Sequence, residues 1–271
     1  LHGQALREVA KLVEQTAEGG TDLVVLPETW NDGWGPEPLD GETVSRMAAL
    51  AKRYQTYIVC PIDRSAEQVR LNTAVLLDRN GEIAGLYDKV YPYWSEFDKE
   101  PPVTPGQVSP VFQTDFGRLG IAICFDVNFP TVWSSLAEQG AELVVWPSAY
   151  SAGTSLQAHA LNHHFYVVSS TWRADCIIYD ITGELLVHDS GNGVNVTRIT
   201  LDLDRGIYHQ NFNVAKRDRL LAEHSDDVIQ EKWLELEQWF VLKAARPGIS
   251  ARDLARQYGL EELRSYLTRS R

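Results

Sequence analysis

The chain has 271 residues, 44% of them hydrophobic and 23% charged, with a formal net charge of −12. That length fits one large α/β domain with an appendage, or two small domains, with enough apolar residues to bury a substantial core. The acidic balance argues against nucleic acid as a partner of the whole body, and no run approaches the roughly 18 apolar residues of a membrane helix.

Residues 4–18 carry Leu6, Val9, Leu12, Val13 and Ala17 at helical spacing, stopped by Gly19-Gly20. Leu23-Val24-Val25-Leu26 is a continuous apolar run ended by Pro27, the pattern of a strand buried on both faces. A helix over 43–54 and the strand Tyr57-Ile58-Val59-Cys60 follow. Strands near 72–78 and 83–87 flank Asn80-Gly81, a hairpin turn signal.

The second half repeats this style. Residues 119–123 form a strand leading into Cys124, and 130–139 a helix. Residues 143–146 are a strand, 155–164 a helix and 165–171 a strand, with a hairpin at Thr182-Gly183. Helices alternating with apolar strands give an α/β fold, and the two hairpins make its sheet mixed. Residues 20–30 (GTDLVVLPETW) and 140–150 (GAELVVWPSAY) share Gly, Leu, Val, Val and Pro, which places Glu28 and Ser148 at matching loop positions. Sites in α/β sheets lie beyond the carboxyl ends of strands. Convergent βα grammar explains the same match without symmetry.

From 214 to 242 the sequence reads as one long helix, with Leu220, Leu221, Val228, Ile229, Trp233, Leu236 and Phe240 on one side. Arg246-Pro247-Gly248 breaks it, Ser250-Ala251-Arg252-Asp253 starts a short helix, and another follows Gly259. The expected division is a catalytic domain over 1–213 and a helical tail over 214–271. Residues 241–271 hold seven cations against three carboxylates, a net +4, leaving −16 for residues 1–240. Helix–Gly–helix with positive charge has the form of a helix-turn-helix, but the acidic body opposes DNA binding. Docking on a neighbouring subunit explains the same pattern.

The three cysteines, Cys60, Cys124 and Cys176, do not suggest a disulfide framework, and a reducing cytoplasm is the default compartment. No basic-then-apolar signal segment opens the chain. It begins on Leu1 rather than Met, and residues are expected ahead of it.

Three positions carry chemistry, each with an ordinary alternative. Cys124 stands at a strand-to-helix corner, where peptide N–H groups and a helix end lower a thiol pKa and could hold an oxyanion. Alone, such a cysteine is more often core. Glu28 follows a buried run and a proline, as a general base facing a cleft or as a solvated loop residue. Lys89 sits among aromatics in Tyr-Asp-Lys-Val-Tyr-Pro-Tyr-Trp, as a fixed cation or a surface lysine.

Together, Leu26-Pro27-Glu28, Tyr87-Asp88-Lys89-Val90 and Gly120-Ile121-Ala122-Ile123-Cys124-Phe125-Asp126 resemble the three signature segments of the nitrilase superfamily, in its order Glu…Lys…Cys. The resemblance runs from about residue 4 to about residue 205. It implies an αββα sandwich that dimerises as αββααββα, and a non-peptide C–N hydrolase, amidase-like or nitrilase. Glu28 would take the thiol proton, Cys124 would attack, and Lys89 would hold the oxyanion, without metal or organic cofactor. It also implies a second glutamate between Lys and Cys, for which Glu96 is the choice and Glu100 the rival. A homodimer or higher homo-oligomer exchanging C-terminal tails is expected. A catalytically silent binding protein and a thiol redox sensor are the readings from other classes.

The sequence departs from the pattern in three places. No strand precedes the first helix, Val127-Asn128 stand where many members carry arginine, and the tail beyond Asn213 is long. The second departure argues against N-carbamoyl amino acids as substrates. Aromatic walls from Trp30, Trp146 to Tyr150, and Trp172 suit a small, partly apolar acyl group, with Trp146, Ser148, Phe125 and Tyr150 as substrate contacts. His159, His163 and His164 invite a metal, but no acidic or thiol partner stands at ligand spacing, so packing is preferred. Cys60 and Cys176 read as inert core.

Overall fold

A computed structural model describes residues 2–30, 35–173, 175–191 and 196–269. It divides into two compact units, Leu1–Arg198 and Ile199–Arg271.

The first unit is an αββα sandwich. Its first sheet has the order β1 (Leu23–Val25), β2 (Tyr57–Ala66), β3 (Val69–Leu77), β4 (Ile83–Asp88). β1 pairs with β2 in parallel, and the other pairs are antiparallel. Helices α1 (His2–Ala17) and α2 (Glu42–Tyr54) cover one face. Leu6, Ala10 and Val13 of α1 and Val44, Met47, Leu50 and Ala51 of α2 pack there with Ile58, Cys60 and Ile62 of β2. Alternate residues of β2 point the other way. Val59 is as buried as its neighbours, so the opposite face is covered too.

The second sheet has six strands in the order β10 (Leu185–Ser190), β9 (Asp175–Tyr179), β8 (Tyr166–Thr171), β7 (Leu143–Ser148), β6 (Arg118–Ile121), β5 (Val111–Gln113). β6, β7 and β8 run parallel, and the flanking pairs are antiparallel. Helices α3 (Pro130–Glu138) and α4 (Thr154–His163) pack on it through Val132, Trp133, Leu136, Leu156 and Ala160. Side chains cross between the sheets: the Ser170 hydroxyl donates to the Val25 carbonyl at 2.9 Å, and Tyr87 donates to Asp126.

The repeat seen in the sequence extends through both halves. Gly20 and Gly140 take φ of +75° and +84° before β1 and β7. Tyr57 N–H donates to the Asp22 carbonyl, and Tyr166 N–H to that of Glu142. α2 and α4 both end on a left-handed residue, Gln55 and His164, whose N–H groups reach Ala51 and Ala160. The hairpin turns Asp78–Glu82 and Asp180–Glu184 match bond for bond, with Gly81 at φ +78° and Gly183 at +77°. A Cβ on Gly81 would also lie 2.4 Å from the Ala48 carbonyl oxygen, so only glycine fits. Each sheet is therefore built on the same β–α–β–β–β unit.

The second unit differs from the expected tail. Residues 214–242 are not one helix: α5 (Val214–Glu223) stops, and β12 (Val228–Leu234) and β13 (Trp239–Ala244) form a hairpin paired to β11 (Gly206–His209). Two features explain the misreading. Phe240, Val241 and Leu242 are buried consecutively, as a strand covered on both faces requires. The hairpin turns through Gln238 at φ +58°, a position carrying no Gly or Asn signal. The division also falls after Arg198 rather than after residue 213, because β11 belongs to this sheet. Short helices α6 (Ala251–Gln257) and α7 (Leu263–Thr268) lie where helices were expected. Ser250 caps α6, its hydroxyl accepting from Asp253 N–H. No helix among the described residues is long and apolar enough to cross a membrane.

Candidate active site

Three chain segments converge in the first unit. Glu28 lies on the loop after β1, Lys89 directly follows β4, and Cys124 follows β6. Lys89 Nζ donates to Glu28 Oε1 at 2.8 Å and to Glu96 Oε2 at 2.6 Å. Glu28 Oε2 accepts the Ala149 N–H at 2.9 Å, which ties it to the loop after β7. The Cys124 thiol lies within electrostatic reach of Glu28, Lys89 and Ser148. Exposure is 1% for Lys89, 4% for Glu28, 6% for Cys124 and 8% for Glu96, so these groups interact in a largely dry site.

The local backbone is specific. Cys124 opens a tight 3₁₀ turn, Cys124–Asn128, ahead of α3, rather than the helix itself. Its φ is +48°, a left-handed conformation that a non-glycine residue adopts only when its surroundings fix it. Asp126 does much of that fixing: its carboxylate accepts from Ile123 N–H at 2.8 Å and Tyr91 N–H at 2.9 Å. Beneath the turn, the Trp146 indole N–H donates to the Cys124 carbonyl at 2.9 Å. The residue before Lys89 is held as well. Arg64 bonds both oxygens of Asp88 at 3.0 Å, and Thr73 donates to one of them at 2.6 Å. Gly106 donates to the Lys89 carbonyl, and a Cβ there would strike the Asp88 carbonyl, 2.0 Å away.

Electrostatics correct the expected thiol. Burial pushes the Cys124 thiol up to about 12, the charge of Glu28 adds to this, and Lys89 only partly opposes it. The free thiol is therefore protonated at neutral pH, not lowered as a helix-end cysteine would be. For Lys89, burial alone would depress the ammonium, but the charges of Glu28, Cys124 and Glu96 outweigh it and keep it firmly protonated. Burial raises the Asp126 carboxyl to about 6 against the bonds from Tyr87, Ile123 and Tyr91.

The structure brings Glu28, Lys89, Cys124 and Glu96 together. Glu100 is exposed, outside this cluster. Of the four expected substrate contacts, Ser148 lies beside the thiol, and Tyr150 is half-buried with its hydroxyl near Asn128 and its N–H donated to Ser148. Phe125 is half-buried and meets the Tyr93 ring edge-on at 5.3 Å. Trp146 is fully buried among the α3 and α4 side chains, behind the Cys124 carbonyl, where it supports the turn rather than touching a substrate. Trp30 packs toward the α1–α2 core, whereas Trp172 is half-exposed with its indole N–H on the Glu28 carbonyl.

His159 Nε2 donates to the Val127 carbonyl at 2.8 Å, so Nε2 carries the proton, and the ring stacks on Trp133. Cys60 is buried in β2, and Cys176 is half-buried in β9.

Asn72 was missed from sequence. Its carboxamide nitrogen donates to Glu28 Oε1 at 2.9 Å and to Glu96 Oε1 at 2.8 Å, so one side chain joins both acids. The signal was present: an asparagine inside Leu71-Asn72-Thr73-Ala74-Val75, otherwise a buried strand, needs a partner.

The family model for carbon-nitrogen hydrolases matches residues 3–206. An omega-amidase of Xenopus tropicalis is 25% identical over 187 residues, covering 61% of this chain and 68% of its own. A deaminated glutathione amidase of Synechocystis sp. is 32% identical over 190 residues, covering 60% and 70%. A carbon-nitrogen hydrolase from Helicobacter pylori superposes with a TM-score of 0.63 at 22% identity, covering 70% of this chain and 80% of that one.

Proposed function

Because the chain belongs to the carbon-nitrogen hydrolase family of the nitrilase superfamily, we propose that it hydrolyses the C–N bond of a small amide through a thioester on Cys124. The observation that carries this reading is the buried meeting of Glu28, Lys89, Glu96 and Cys124, three of them linked by bonds of 2.6–2.8 Å.

Each residue has a task that its contacts support. Glu28, beside the thiol, takes its proton as Sγ attacks the amide carbon, so no free thiolate need be populated. An ammonium has three N–H donors, and Glu28 and Glu96 account for two on Lys89; the third is left for the oxyanion. When the tetrahedral adduct collapses, the C–N bond breaks and Glu28 protonates the leaving nitrogen. Water then loses a proton to Glu28 and attacks the thioester. The C–S bond breaks, the acid leaves, and the proton returns to Sγ. Glu96 fixes Lys89 through a bond of 2.6 Å and is itself braced by Tyr93 N–H at 2.7 Å.

The test is ammonia release from small primary amides. Cys124→Ala should abolish it while leaving the thermal transition within a few degrees of wild type. Full turnover by Cys124→Ala would overturn the assignment.

A further inference from the structure

Alternation along β2 and β3 turns Asp63, Arg70 and Asn72 to one face of the first sheet, with Asp63 and Asn72 as cross-strand partners. Asn72 bonds both Glu28 and Glu96, so this is the face that carries the two acids. Asp63 is 2% exposed. Arg70 Nε donates to its two oxygens at 2.8 and 3.0 Å, and Lys99 Nζ lies 3.5 Å from Oδ2. A carboxylate buried this deeply is costly unless cations meet it. Asp63 thereby fixes two of them: Arg70, two residues before Asn72, and Lys99, three residues after Glu96.

The segment that carries Glu96 buries little of itself. Of residues 93–105, Glu96 and Val103 are buried, Lys99 is half-buried, and the rest are exposed. Apolar packing therefore holds this stretch weakly, and polar ties decide where it lies. Thr104 N–H donates to the Arg70 carbonyl at 2.7 Å, and Val103 N–H donates to the Glu96 carbonyl at 3.0 Å. Val103 also bridges to Arg70 in parallel register. Arg70 thus meets the segment with its backbone and the buried acid with its side chain. Through Lys99, Asp63 ties the same stretch a second time, at the edge of solvent.

We propose that Asp63, Arg70 and Lys99 form an ionic latch that positions Glu96, and through it Lys89, for the hydrolysis proposed above, on which this role rests. The latch touches no substrate. It acts through Glu96, whose Oε2 accepts from Lys89 Nζ at 2.6 Å. Opening it lets Glu96 draw away from Lys89, so the oxyanion donor loses alignment. That loss falls on kcat rather than KM.

Ammonia release by the full chain is measured on acetamide, butyramide and phenylacetamide. Lys99→Gln opens the latch from its solvent side and should lower kcat about tenfold, with KM within about twofold of wild type. Lys99→Arg keeps the cation and should hold kcat within about twofold of wild type. An unchanged kcat in Lys99→Gln, or a fall that Lys99→Arg shares, overturns the proposal, even where the thermal transition drops. If the wild type releases no ammonia, the amidase reading fails, and hydrogen exchange over residues 93–106 decides the latch. Exchange about tenfold faster in Lys99→Gln, and at the wild-type rate in Lys99→Arg, sustains it. Exchange that Lys99→Gln leaves unchanged overturns it.

Discussion

The Tyr87 hydroxyl donates to Asp126 Oδ2 at 2.7 Å, and both side chains are sealed from solvent. The bond crosses from the strand that delivers Lys89 to the turn that delivers Cys124. Asp126 thus sets the cation and the nucleophile against one another, at the cost of burying a charge.

That cost makes a pH-dependent prediction. Burial raises the Asp126 carboxyl from 3.8 to about 6. A carboxyl raised on folding holds its proton more tightly in the folded chain. Its favourable contribution is complete below about pH 4 and is lost as pH rises through about 6. The loss is about 3 kcal/mol. Asp126→Asn stays neutral throughout. Urea unfolding at pH 4 and pH 7 should therefore show the wild type losing about 3 kcal/mol relative to the variant over that interval. A difference that is flat with pH would show that the carboxyl is not strained by burial.

Glu28 acts on the thiol in two opposed ways. Its charge raises the Cys124 thiol, while its basicity activates that thiol during attack. Glu28→Gln removes the first effect and leaves Lys89 to lower the thiol. The variant should alkylate with iodoacetamide faster than wild type at pH 8, yet lose about 10³-fold or more in amide turnover. In wild type, the alkylation rate should still climb above pH 9, where an ordinary cysteine levels off. Slower alkylation in Glu28→Gln would mean that the glutamate lowers the thiol rather than raising it.

Much of this site was legible because its residues break local rules. Glu28 follows an apolar strand and Pro27, Lys89 sits among aromatics, and Cys124 ends a strand. Elements with strong periodicity or turn signals, such as α2 and the Asn80-Gly81 hairpin, were equally plain. What was hidden depended on distant partners. β2 runs on to Ala66 through Asp63 and Arg64, well past the expected strand Tyr57–Cys60. Those side chains are buried because Arg70 and Asp88 neutralise them from neighbouring strands. Trp146 looked like a pocket wall because its loop is right, but strand alternation turns it to the α3–α4 face. The raised thiol was invisible for the same reason: burial is a property of the assembled sandwich, not of the strand-to-turn corner.

Asn72 offers a test of how the two acids are held. Asn72→Leu keeps the approximate shape and deletes both N–H bonds, leaving the buried carboxylates of Glu28 and Glu96 each short of a donor. Stability should fall by about 2–4 kcal/mol. Turnover should fall about 10²-fold through kcat, because the base and the cation lose their shared brace. If denaturation shows the loss of stability but kcat holds, Asn72 is structural only.

Trp146 separates support from recognition. Its indole N–H holds the Cys124 carbonyl from within the core, with no exposed surface. Trp146→Phe removes that bond and opens a small void, which should cost about 1–3 kcal/mol of stability. Because the strained φ of Cys124 leans on this contact, kcat should fall for every amide. The ranking of amides by kcat/KM should stay as in wild type, since the side chain lies behind the nucleophile and not in front of it. A changed ranking across acetamide, butyramide and phenylacetamide would instead place Trp146 against the acyl group.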